Sequence, residues 1–344
     1  SKRFKEIQER LSVLSNQFSK NVLQATNSWK KEVSIDDLNG YGEAELSKVR
    51  EGSEYVVSLQ IPVYIDLMTY AENRDLREEV YRAYISRASD VGITPVKFDN
   101  RKVMDEILKL RSEMSTLLGL SNYAEYSVQS KMVDSPESVI DFLEKLVDLS
   151  HLQATTELKD LEDFAGHSLM PWDLMFYSEK LKQKVFNFKS ADLKPYFPES
   201  SVLSGLFETI QNLYSVKLTE VEEECYHPDV RVIMLEDENG PIGKIYFDVY
   251  ARENKRGGAW MSDFQGLYKD SLPVAFVVCN LNSPKDGKPA LFDFDEIVTI
   301  FHEFGHALHH LLTKVTFPCA AGISGVPWDG VELPSQYMEN FCYE

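Results

Sequence analysis

The stretch LFDFDEIVTIFHEFGHALHH, residues 291–310, constrains the fold most, because it reads as one helix with two different faces. Ile297, Ile300, Phe301, Phe304, Leu308, Leu311 and Leu312 recur at helical spacing and give it a core face. Asp295, just ahead of Glu296, is the expected N-cap. On another face His302 and His306 stand four residues apart, about one turn along the axis, so two imidazoles can converge on one point. Such a helix needs a packed layer on its apolar side and a use for the histidines on the other. Gly305, about 1 kcal/mol worse than Ala inside a helix, predicts that another segment packs closely there.

His302, Glu303 and His306 spell H-E-x-x-H, and two histidines at this spacing are a zinc-type ligand pair. Glu303, one step round the helix, lies where its carboxylate can take a proton from water rather than bind the ion. The motif is short enough to arise by chance, so a third ligand matters. In DGVELPSQYMENF a second helical pattern opens at Glu332, with Pro334 in the first turn, where proline is tolerated. Glu332, Gln336 and Glu339 share one of its faces. Two His, one Glu and a water leave one position open for chemistry, whereas a structural zinc site is closed. His309 competes with Glu332 for the third place. On a continuous helix it lies about 10 Å from His302 along the axis, too far for both to reach one ion at about 2 Å, so Glu332 is preferred and His309 is the alternative. His309 and His310 otherwise pack or cap the helix end. Glu339 either orients a ligand histidine from behind or is an exposed glutamate. The stretch AAGISGVPWDG joins the two helices and must border the cleft if they meet at a metal, which makes Gly322 and Gly325 candidate substrate-binding positions.

A length of 344 residues, 43% hydrophobic and 12% aromatic, suits a globular protein with core enough for two domains. A formal charge of −19 works against nucleic acid or an anionic membrane as partner. No apolar run has the length of a membrane-spanning helix, and the start SKRFKEIQER is too polar for a signal peptide. Cys225, Cys279, Cys319 and Cys342 are sparse and form no C-x-x-C, which suggests reduced thiols and a cytoplasmic setting. A start without Met, and an end inside the second helical pattern, read as a fragment of a longer protein.

Helical patterns over 4–22, 44–51, 73–89, 100–118 and 135–164 make the first half mostly α. Around Pro62, YVVSLQIPVYIDLM leaves a short strand pair and a buried connection equally open. The turn Pro171-Trp172-Asp173 is the expected boundary between a helical domain, 1–170, and a metal-containing domain, 171–344. Helices follow over 172–189 and 203–213, and the acidic run 220–224 reads as a solvated face. RVIMLEDENGPIGKIYFDVYAR then gives a hairpin about Asn239-Gly240. A third β-rich run, 274–279, precedes the histidine helix. If it is an edge strand, Ala275, Phe276 and Val277 could pair with an extended peptide; a covered strand is the alternative. ENKRGGAW lacks the Gly-Lys-Ser/Thr element of a phosphate loop and reads as a tight turn. The expected fold class is mainly α, with a small β-sheet next to the histidine helix.

FHEFGH, SGVPWDGVELPSQYMEN and FDVYARENKRGGAWM, together with LREEVYRAY and PWD in the helical half, resemble the thimet oligopeptidase family of zinc peptidases over the whole chain. The resemblance implies that His302, His306 and Glu332 hold one zinc ion and that Glu303 is the catalytic base. It implies a mainly helical, zincin-like protein whose two halves flank a deep channel for short, unfolded peptides, and a substrate-facing strand in the stretch containing 274–279. It also implies that further transition-state donors, a histidine and tyrosines, lie beyond the matched segment. The expected reaction is endopeptidase hydrolysis by a monomer. The alternatives are a dipeptidyl carboxypeptidase of the same family and a non-catalytic peptide-binding module.

Overall fold

The computed structural model describes residues 2–343 apart from 93–94, 190–191, 270, 285–286 and 288. The chain divides into two compact units, Ser1–Lys189 with Glu253–Arg256, and Ser190–Arg252 with Gly257–Glu344. The division thus falls after Lys189 and not at Pro171-Trp172-Asp173. That turn is a core contact of the first unit rather than a linker: buried Arg77 donates to the Trp172 carbonyl at 3.0 Å and to the Asp173 carboxylate at 2.9 Å.

The first unit runs α1 (Lys2–Ser28), β1 (Lys30–Val33), α2 (Glu43–Val49), β2 (Arg50–Glu51), β3 (Glu54–Ser58), α3 (Ile61–Tyr70), α4 (Arg74–Ile85), α5 (Arg101–Leu117), α6 (Tyr123–Val128), α7 (Pro136–Ala165) and α8 (Leu174–Phe186). Side chains cap α4 and α7. Asn73 accepts the Leu76 N–H at 3.1 Å ahead of α4, and Ser135 accepts the Ser138 N–H at 3.2 Å ahead of α7. The stretch around Pro62 is half strand and half helix, with Pro62 in the first turn of α3, where its missing N–H costs nothing. The α2 pattern stops short because Arg50 and Glu51 turn to pair with β3, the central strand of an antiparallel β1-β3-β2 sheet. Leu38, Leu67, Leu76, Val80 and Trp172 meet in this unit's core.

The second unit contains α9 (Glu199–Tyr214), β4 (Lys217–Val221), β5 (Arg231–Asp237), β6 (Gly240–Tyr250), β7 (Trp260–Gln265), β8 (Val274–Leu281), α10 (Phe294–Leu311) and α11 (Leu333–Glu339). The strands form one sheet in the order β4-β5-β6-β8-β7. The β5–β6 hairpin turns at Gly240, whose φ of +118° suits glycine. β8 runs parallel to β6 and antiparallel to β7, so it is hydrogen-bonded on both sides. Of the two readings of 274–279, the covered strand is the one observed, and the edges are β4 and β7. The apolar face of α10 packs across the sheet. Ile300, Phe304 and Leu308 share a core with Ala275, Val277 and Cys279 of β8, and Phe304 meets Phe247 of β6 with ring centroids 5.5 Å apart. The result is a mainly α protein with a small sheet beside the two-histidine helix.

Candidate metal centre

α10 starts two residues earlier than expected. Asp293, not Asp295, is the N-cap: its carboxylate accepts the Glu296 N–H at 2.9 Å, while Glu296 accepts the Asp293 N–H at 3.0 Å. The D-x-x-E spacing of a capping box was the signal for this. One core-facing layer and a firm cap fix the helix, so His302 and His306 emerge together on its far side.

Nε2 of His302 and Nε2 of His306 lie 3.2 Å and 3.1 Å from Oε2 of Glu332, the residue that precedes α11. Three acceptor atoms this close repel one another unless a proton or a metal ion lies between them. For ligands at about 2.0–2.2 Å from a tetrahedral zinc the ligand–ligand edge is about 3.3 Å, so the donor set fits such an ion. Among the described residues, His302, His306 and Glu332 form a group whose ligand atoms lie within 4.8 Å of one another, and His309 is outside it. His309 is half-buried, and that burial pushes its pKa down. Burial likewise pushes His306 down, which favours the neutral imidazole a metal requires.

Behind the histidines, His302 donates its Nδ1–H to Oε1 of Glu339 at 2.6 Å. This leaves the Nε2 lone pair turned towards Glu332. Glu303 is 5% exposed. Burial pushes its carboxyl up to about 7; Glu332 acts in the same direction, while His302 and a hydrogen bond from the Met261 N–H oppose it. Its Oε2 has no hydrogen-bond partner. A carboxylate with one tethered and one free oxygen, beside the ligand group, is equipped to accept a proton.

Among the substrate-binding candidates, Ala275, Phe276 and Val277 do not lie on an edge strand. Ala275 and Val277 are fully buried beneath α10, and Phe276 stacks on Tyr246, centroids 5.1 Å apart. The edge strand in touch with Glu303 is β7, through Met261. Gly322, at φ +62°, lies against His310, where a Cβ would come within 2.3 Å of Nδ1. His310 in turn donates Nε2–H to the Gln265 carbonyl at 2.9 Å. Gly325, at φ +78°, turns the loop beside the Cys319 carbonyl. Both glycines thus shape the loop. Ser335 joins the site from outside the sequence candidates: its Oγ lies 2.9 Å from Glu332 Oε2, and its only trace in the sequence is a serine three residues after a candidate ligand.

Residues 67–344 match Peptidase family M3. Oligopeptidase A of Escherichia coli (strain K12) is 48% identical over 99% of this chain and 53% of its own length. Organellar oligopeptidase A, chloroplastic/mitochondrial, of Arabidopsis thaliana is 39% identical over 99% of this chain and 46% of its own length. The dipeptidyl carboxypeptidase of Escherichia coli (strain K12) is 32% identical over 99% of this chain and 52% of its own length. The chain thus spans about half the length of the curated relatives it matches. Since the family match includes both helices that bring the histidines and Glu332 together, this chain belongs to peptidase family M3.

Proposed function

We propose that this chain carries the zinc centre of an endopeptidase that hydrolyses short, unstructured peptides. The observation that carries this reading is the convergence of His302 Nε2, His306 Nε2 and Glu332 Oε2 beside a buried Glu303 with a free oxygen. When bound, a zinc ion would supply Lewis-acid polarisation of the scissile carbonyl and acidify water. His302, His306 and Glu332 would hold it, and Glu339 keeps His302 in the tautomer that can bind. Glu303 takes the proton of the attacking water at Oε2 and passes it to the leaving amine, serving first as base and then as acid. An extended peptide laid along β7 would find main-chain hydrogen-bonding groups whatever its sequence; the support is the edge position of β7 and the Met261–Glu303 hydrogen bond. Among the described residues no helix is long and apolar enough to cross a membrane. The four free cysteines are compatible with the reducing, cytoplasmic setting proposed for the chain.

Zinc content and cleavage of an internally quenched fluorescent peptide, measured for this 344-residue chain and for Glu303→Ala, test the reading. Both proteins should hold one zinc, and only the parent should turn over. A parent without zinc would overturn the site. Zinc without turnover would overturn the sufficiency of this chain for the reaction. The 32% identity to a dipeptidyl carboxypeptidase sustains a second reading. An endopeptidase cleaves a C-terminally amidated peptide, whereas an enzyme that needs a free C-terminus does not.

A further inference from the structure

α10 and α11 cross where Gly305 meets the first turn of α11. A Cβ on Gly305 would lie 2.5 Å from the Pro334 carbonyl oxygen, 2.5 Å from Ser335 Cα and 3.0 Å from the Pro334 carbonyl carbon. All three are backbone atoms, so no rotamer change relieves the clash, and any side chain at 305 must push α11 away. Pro334 and Ser335 follow Glu332 by two and three residues, so that displacement passes to the ligand itself. His306 adjoins Gly305 on the opposing helix. The separations at stake are the 3.1 Å and 3.2 Å between Glu332 Oε2 and the two Nε2 atoms.

Ser335 contributes a second constraint from the same crossing. It is fully buried, and its Oγ lies 2.8 Å from the Glu332 carbonyl and 2.9 Å from Glu332 Oε2. The single hydroxyl proton is within reach of both acceptors, the Glu332 carbonyl and its carboxylate; given to the carboxylate, it restrains the Glu332 side chain to the rotamer facing the histidines. The Glu332 side chain is itself half exposed, so little else confines it.

We propose that Gly305 and Ser335 are positioning residues for the third metal ligand: Gly305 lets the backbone of α11 come into contact with α10, and Ser335 holds the Glu332 carboxylate at the convergence point. The inference rests on the ligand reading above. It is tested by zinc dissociation constants, from competition with a chromophoric chelator, for the chain and for Gly305→Ala, Ser335→Ala, Glu332→Ala and each double variant with Glu332→Ala. Gly305→Ala and Ser335→Ala should each weaken zinc by roughly 10–100-fold. Each double variant should bind no more weakly than Glu332→Ala alone, because both residues act through that carboxylate. Losses that add in the double variants, or parent affinity in Ser335→Ala while Glu332→Ala loses zinc, would overturn the positioning role alone. Parent affinity in Glu332→Ala would overturn the ligand assignment and the inference with it. Should Gly305→Ala fail to fold, the glycine is required by the fold itself and its positioning role is overturned, while Ser335→Ala, which adds no atoms, still decides the role of Ser335.

Discussion

Glu303 adjoins His302, one of the three proposed metal ligands, and its carboxylate is held at one oxygen by the Met261 N–H. Glu303→Gln keeps the shape and removes the basicity. It should retain zinc while turnover falls by roughly 10²–10⁴-fold, the usual range for a lost general base; metal analysis beside a peptide-cleavage assay checks both halves. Glu339 acts one layer back. Glu339→Ala frees the His302 Nδ1–H, and zinc affinity should drop roughly 10–100-fold, read by chelator competition, with turnover at saturating zinc much less affected. His302, Glu303 and His306 could be read from sequence because an i, i+4 pair on one helix is local geometry. Glu332 was readable only by matching a second amphipathic pattern to the first. Ser335 and Met261 were not readable at all, because their roles exist only where α10, α11 and β7 meet.

Helices were legible where apolar periodicity ran unbroken, as in α4 and α7, and errors arose where sheet pairing overrode local pattern. Arg50 and Glu51 continue a helical run yet pair with β3. β7 precedes β8 in the chain but lies outside it in the sheet, and no local signal reports that order, so the sequence leaves edge and covered strand open for 274–279. The boundary at Pro171 failed for a related reason, since Arg77 on α4 reaches across to Trp172 and Asp173 in the turn before α8. That contact is titratable. Burial alone would raise the Asp173 pKa, but hydrogen bonds from Arg74, the Met170 N–H and Arg77 outweigh it and hold the carboxyl below its ordinary 3.8. A carboxyl depressed in the folded state contributes stability above its unfolded pKa and loses it as pH falls through the folded value. The first unit should therefore weaken below about pH 4, and Asp173→Asn should flatten that part of the acid titration followed by circular dichroism. At neutral pH, Asp173→Ala should cost about 3–5 kcal/mol in chemical denaturation, because it leaves the buried Arg77 charge uncompensated.

At the scale of the molecule, His302, His306 and Glu332 all belong to the second compact unit, and the first contributes none of them. An ion that binds only the folded state stabilises what it binds by about 4 kcal/mol at a thousandfold excess over its dissociation constant. For a unit of this size that corresponds to a rise in melting temperature of roughly 8–16 °C. Zinc should therefore raise the melting of the second unit and leave the first where it was, whereas Asp173→Ala should lower the first and leave the second. Differential scanning calorimetry with zinc, and again after chelation, separates the outcomes. Two transitions, each answering to only one perturbation, are expected. A single transition moved by both would mean that the units unfold together despite their separate cores, and a melt indifferent to zinc would mean that the three converging ligand atoms do not bind the ion in the folded chain.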